Sequence, residues 1–199
     1  MVHKLSRKIT TFFINRGSIK AEDREMYEYC FEVLLSTVIN LLLLIVIGVA
    51  TGKYLETLIF AVVFMLSREV CGGYHARTHL GCVCSLLILY GMMLGLTYLS
   101  ANVLFILSLV FFSLSLVVFL IIAPVDCANK RISREERAKL RKRMFIILSL
   151  FVIAYSIMMV YEVARIYAFC IACSMFDVML LVVLGFLVNI FSKKNEVCK

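Results

Sequence analysis

Apolar positions along this chain come in long runs that charged residues interrupt only at intervals. Residues 33–52 hold no Asp, Glu, Lys or Arg, and are bounded by Glu32 and Lys53. A second charge-free tract, 78–125, is 48 residues long, with a polar break at Ser100-Ala101-Asn102. Residues 144–161 form a third, and 166–192 a fourth that only Asp177 interrupts. A helix needs about 20 apolar residues to cross a bilayer core, so the long tract has room for two crossings. Between Lys53 and Arg68 only 57–67 is free of charge. That segment spans only if Lys53 or Glu56 snorkels, or if the helix continues through Arg68 and Glu69. The pattern predicts six transmembrane helices. Ahead of them, Leu5, Ile9, Phe12 and Phe13 share one helical face, with Lys4, Arg7, Lys8 and Arg16 around it. This predicts an amphipathic helix lying on the inner leaflet. The first long apolar run begins too late for a signal peptide, and no small-residue cleavage site follows a short hydrophobic region.

Composition agrees. The 199 residues are 63% hydrophobic and 17% charged, with mean hydropathy +0.99. Ordinary soluble domains are about 45–50% apolar and about 25% charged. A soluble fold is excluded, and the expectation is one all-α membrane domain over 1–199. It divides into a basic amphipathic segment at 1–29, a loop and helix start at 68–84, and a basic cytoplasmic loop at 124–143. One proline and no tryptophan leave Tyr and Phe to supply any aromatic belt. With a cytoplasmic N-terminus and six crossings, 19 of the 21 Lys and Arg fall inside, leaving Lys53 and Arg165 outside. Both termini are then cytoplasmic. Without the second segment the cluster of eight basic residues at 124–143 would land outside, so charge supports that weakest span. The net charge of +8 thus reads as orientation and contact with the lipid bilayer, not as a nucleic-acid footprint. The lipid-facing surface also leaves room for a homodimer.

The eight cysteines are not a disulfide framework. Such frameworks sit in soluble extracellular loops, whereas Cys30, Cys71, Cys82, Cys84, Cys127 and Cys198 fall on or near the reducing side. Cys170-x-x-Cys173 has a redox spacing, but apolar surroundings leave a thiol inert.

The stretch from Arg68 to Cys84 is different. It holds two of the three histidines, three cysteines and three of the nine glycines between two apolar segments. Ionisable residues at a membrane boundary point to function. Cys71, His75, His79 and Cys82 would line one face of a continuous helix as metal ligands. A metalloprotease helix wants Glu directly after its first His, but here Ala76 follows, Arg77 would put a cation beside the metal, and Gly72-Gly73 disfavours a regular helix. A structural or haem site stays open; no catalytic metal or other cofactor is expected. The alternative is a cysteine nucleophile with a histidine base. His75 and Cys82 would lie about 10.5 Å apart along a straight helix, so the chain between them must fold back, which Gly81 allows. Cys82 would then open the next helix, where the helix N-terminus and an imidazolium store reactive thiolate. Amides of that first turn, or of Gly72-Gly73, would hold an oxyanion. Cys84 is the rival nucleophile.

Gly72-Gly73-Tyr74-His75-Ala76-x-Thr78-x3-Cys82, with Arg68 upstream, resembles the active-site signature of the accessory gene regulator B (AgrB) family. Pro124-Val125-Asp126 followed by Asn129-Lys130 resembles its second motif. The size, six-segment layout and basic N-terminal tail match as well, so the resemblance covers essentially the whole chain. It implies a thiol protease of a bacterial cell membrane that removes the C-terminal tail of an AgrD-like propeptide, leading to a cyclic quorum-sensing peptide. It implies His75 as the base and Cys82 as the nucleophile, with Cys84 and His79 as bystanders. The acyl-enzyme thioester would be captured by a side chain of the peptide, closing a ring without ATP. Asp126 is the candidate to orient His75, and Glu69 an alternative. Asp177, inside the last span, needs a partner. The basic loop and tail would recruit an acidic precursor tail. A small transporter or channel component, with Asp177 and the His-rich loop in its path, is the competing reading.

Overall fold

A helix stands at each of the six apolar segments, preceded by the amphipathic one. In a computed structural model that describes residues 2–73, 79–125 and 134–197, the helices are α1 (Val2–Asn15), α2 (Arg24–Thr51), α3 (Tyr54–Cys71), α4 (His79–Leu96), α5 (Ala101–Ile122), α6 (Arg134–Val160) and α7 (Arg165–Val197). No strand lies among the described residues. By length and composition, four helices can cross a membrane: α2 with the short turn before it, α5, α6 and α7. α3 and α4 have 18 residues each, about 27 Å of helix against a core of about 30 Å. α3 keeps its charges near its ends, where Glu56 meets Lys53 at 3.6 Å and Arg68 and Glu69 lie in the last turn. The chain is an all-α membrane protein.

Helix boundaries follow local chemistry. Gly52 takes a left-handed conformation (φ 69°) after α2. Its N–H and that of Lys53 bond back to the carbonyls of Val49 and Gly48, closing the helix end. Two boundaries depart from the expected loops. α2 begins nine residues ahead of its apolar run, and α1 packs on this charged extension. His3 reaches Glu32 and Arg7 reaches Glu28, while Phe13 stacks on Phe31. Small buried residues, Ser6 and Thr10, form α1's contact face, and Leu5 and Phe12 stay exposed. The second departure concerns the basic loop expected at 124–143. Its residues 134–143 continue as helix into α6. No Gly or Pro interrupts 134–160, and Glu135 and Glu136 in the first turn oppose the helix dipole.

α7 is the central helix. Residues 168–175 are buried without a break, as expected of a helix apolar on all sides. It packs against α5, α3, α6 and α4. Cys170 and Cys173 are fully buried and free within it, filling space as small apolar residues do. Outward faces of α2 and α6, with Leu42, Val46, Leu150 and Ile157 exposed, are apolar as lipid contact requires.

α2 and α3 close tightly at Gly48, where an added β-carbon would lie 2.5 Å from Thr57 Oγ1. That hydroxyl also meets Tyr90 of α4 at 2.5 Å. Gly48→Leu should therefore pry three helices apart and lower the detergent-solubilised protein's stability by about 1–3 kcal/mol. A thermal melt unchanged by this substitution would contradict the packing.

Candidate active site

The second half of the site's framework is a pair of glycines in conformations that side chains resist. Gly72 ends α3 with φ 68° and Gly73 follows with φ 107°. Gly72 pairs with Val125 as an isolated parallel bridge, and the Val125 N–H donates to the Cys71 carbonyl at 3.0 Å. A β-carbon on Gly72 would run into the Val125 carbonyl oxygen. One on Gly73 would lie 2.8 Å from the Leu181 carbonyl oxygen and 2.9 Å from the Val182 Cα. The segment is thus wedged between the exit of α5 and the backbone of α7, and only glycine fits at either position. The bridge brings together two motifs more than fifty residues apart: Gly72-Gly73, which leads toward His75, and Pro124-Val125, which leads into Asp126. His75, Thr78, Asp126, Asn129 and Lys130 themselves lie outside the described residues.

From the other side comes α4. Cys82 is its fourth residue, still in the first turn, just after Gly81. The first four N–H groups of a helix have no acceptor within it and carry the positive end of its dipole. Cys82 is half-buried and free; Cys84 is exposed. A cavity of about 470 Å³ lies between α2, α3 and the start of α4. Cys82, Gly72, Gly73, Arg68 and Glu69 all line it, together with Asn40 and Thr37 of α2, and the remaining wall is apolar. Cys84 is not part of that wall.

Asn40 was not singled out by the sequence pattern. Its Nδ2 approaches the Cys82 sulfur at 3.9 Å, and its Oδ1 is buried without a hydrogen-bond partner among the described residues. The signal for it was present: it is the one amide in the 33–52 run, and polar groups within spans are expensive. Asn40 lies eight residues past Glu32, the last charge of α2, about 12 Å further along the helix axis. The cavity at Cys82 therefore joins the charged end of α3, at Arg68 and Glu69, to the apolar body of α2.

Asp177 is fully buried on α7, and neither carboxylate oxygen has a hydrogen-bond partner among the described residues. It lies one turn before Leu181, which packs on Gly73, but it does not line the cavity. Among the described residues no cluster of His, Cys, Asp or Glu has the makings of a metal site.

Comparison with known proteins gives one family. Residues 6–192 match the family model described as accessory gene regulator B. A putative AgrB-like protein of Clostridium perfringens strain SM101 is 26% identical over 151 residues, covering 72% of this chain and 70% of that one. A putative AgrB-like protein 2 of C. perfringens strain 13 is 25% identical over 81% of this chain and 80% of its own length. One of Clostridium beijerinckii is 26% identical over 78% and 77%. No solved structure matches. With the match spanning nearly all of a multi-helix membrane chain, this protein belongs to the accessory gene regulator B family, which has its role in processing a quorum-sensing propeptide.

Proposed function

We propose that the chain is a membrane-embedded cysteine endopeptidase of a bacterial cell membrane, with both termini cytoplasmic, acting on an AgrD-like propeptide. The observation that carries this reading is the single cavity onto which Cys82 and the Gly72-Gly73 pair both open. Cys82 enters from the first turn of α4, and the glycines lead the chain toward His75 two residues on.

The thiolate of Cys82 attacks the carbonyl carbon at the junction of peptide and tail. A sulfur–carbon bond forms and the carbonyl electron pair moves onto oxygen. As the oxyanion collapses, the carbon–nitrogen bond breaks and His75 gives its proton to the departing amine. The tail leaves and a thioester remains on Cys82. A thiol or hydroxyl of the bound peptide then attacks that thioester, yields its proton to His75, and expels the Cys82 thiolate. The product is a ring. Water must stay out of the thioester's lifetime, and a mostly apolar cavity wall supports that. Asp126 follows Val125, which is paired to the backbone at Cys71 and Gly72, and this supports it as the residue that orients His75.

The test uses the full chain in proteoliposomes and a synthetic propeptide with an internal cysteine and an acidic C-terminal tail. Mass spectrometry should find the released tail and a hydroxylamine-sensitive peptide adduct on Cys82. His75→Ala should slow tail release by about 10²–10⁴-fold. Release at the normal rate by His75→Ala would rule out the proposed chemistry.

A further inference from the structure

We propose that Asn40 is a catalytic residue whose side-chain amide holds the Cys82 sulfur and then donates to the oxyanion formed at the scissile carbonyl. The proposal rests on Cys82 being the nucleophile. The observations behind it are a contact, an unsatisfied atom and a location. Asn40 Nδ2 approaches Cys82 Sγ at 3.9 Å across the α2–α4 contact. Its Oδ1 is buried without a partner among the described residues. Both residues line the same cavity.

An amide in an apolar run is costly when its hydrogen bonds are unmet. Half of that requirement is left open here, at the wall where a peptide would lie. When Cys82 attacks, the new negative oxygen sits on the carbon joined to its sulfur. An amide already donating to that sulfur needs only a small side-chain rotation to donate to the oxygen. The open Oδ1 then faces a substrate N–H as acceptor, which fixes the amide's orientation. Such a donor is preorganised, in a water-poor site where charge stabilisation is strong.

The experiment compares Asn40→Ala, Asn40→Asp and Asn40→Gln in full-length, reconstituted protein. Cleavage of the synthetic propeptide gives kcat and KM. Iodoacetamide labelling of Cys82 across pH, in a Cys84→Ser background, gives the thiolate's own profile. Asn40→Ala should lower kcat by about 10²–10³-fold with KM little changed. Its Cys82 labelling profile should differ from the parent's, because a donor to the sulfur is gone. Asn40→Asp preserves shape but places an acceptor where a donor is needed, so it should be at least as slow as Ala. Asn40→Gln, which keeps the amide, should recover part of the rate. A kcat within twofold of wild type for Asn40→Ala overturns the assignment. So do equal losses in all three variants with an unmoved labelling profile, which is the pattern of packing alone. Cys82→Ala separates the two levels: if it still cleaves, the nucleophile reading fails, and if it is inactive while Asn40→Ala is normal, only the Asn40 assignment fails.

Discussion

Cys82→Ala is expected to abolish tail release, while Cys84→Ala leaves it within a few-fold of the parent chain. Removing the nucleophile of a protease lowers kcat by about 10⁶-fold, so the first variant should be inactive over any practical assay time. The expected contrast comes from placement. Cys82 is half-buried in the cavity wall, in contact with Asn40, whereas Cys84, two residues on, is exposed and outside that wall. Two residues along a helix turn the side chain through more than half a circle, so only one of the pair is able to face the bound peptide. Loss of tail release in Cys84→Ala, with Cys82→Ala active, would place the reacting sulfur on the other face of α4.

The second large effect is structural. Gly73→Ala should cost about 1–3 kcal/mol in backbone strain from its positive φ, and a comparable amount from collision. The colliding atoms are backbone of α7 at Leu181 and Val182, which no side-chain rotation relieves. Since Gly73 lines the cavity and stands two residues before His75 in sequence, any shift that accommodates the methyl group alters the cavity wall. Cleavage should fall by about 10²-fold or more even where protein accumulates normally, because small misplacements of reacting groups are that damaging. Gly17→Ala is the control: Gly17 also has positive φ, but nothing lies within 4 Å of an added β-carbon. If Gly73→Ala cleaves as well as Gly17→Ala, the wedge against α7 has no bearing on the site.

Much of the architecture was legible from charge spacing. The interval between charges located α2, α5, α6 and α7, and the break at Ser100 marked the start of α5. α3, the segment with the shortest charge-free core, is a helix that continues through Arg68 and Glu69 to Cys71. Helix extensions were less legible, since the charges spread through 24–32 and 134–143 mask the helix there. The motif residues at 72–73 and 124–125 were visible, but their main-chain pairing was not. A backbone contact between distant segments leaves no periodicity to read. Asn40 went unmarked for a related reason. Its importance lies in a neighbour 42 positions away, set by how α2 packs on α4. The central place of α7 was written in its sequence as apolar character on every side, a signal that competes with the same character in any lipid-facing span.

The placement of Cys82, at the start of an apolar helix and beside Asn40, about two helical turns beyond the last charge of α2, changes what substrate concentration means for this protein. On the proposed reading, a propeptide that partitions onto the bilayer surface would meet Cys82 within the plane of the membrane. Encounter is therefore two-dimensional, and the governing variable is the mole fraction of peptide among lipids. Adding empty vesicles at fixed peptide and protein would slow the reaction by surface dilution, although no inhibitor has been added and the bulk concentrations of both partners are unchanged.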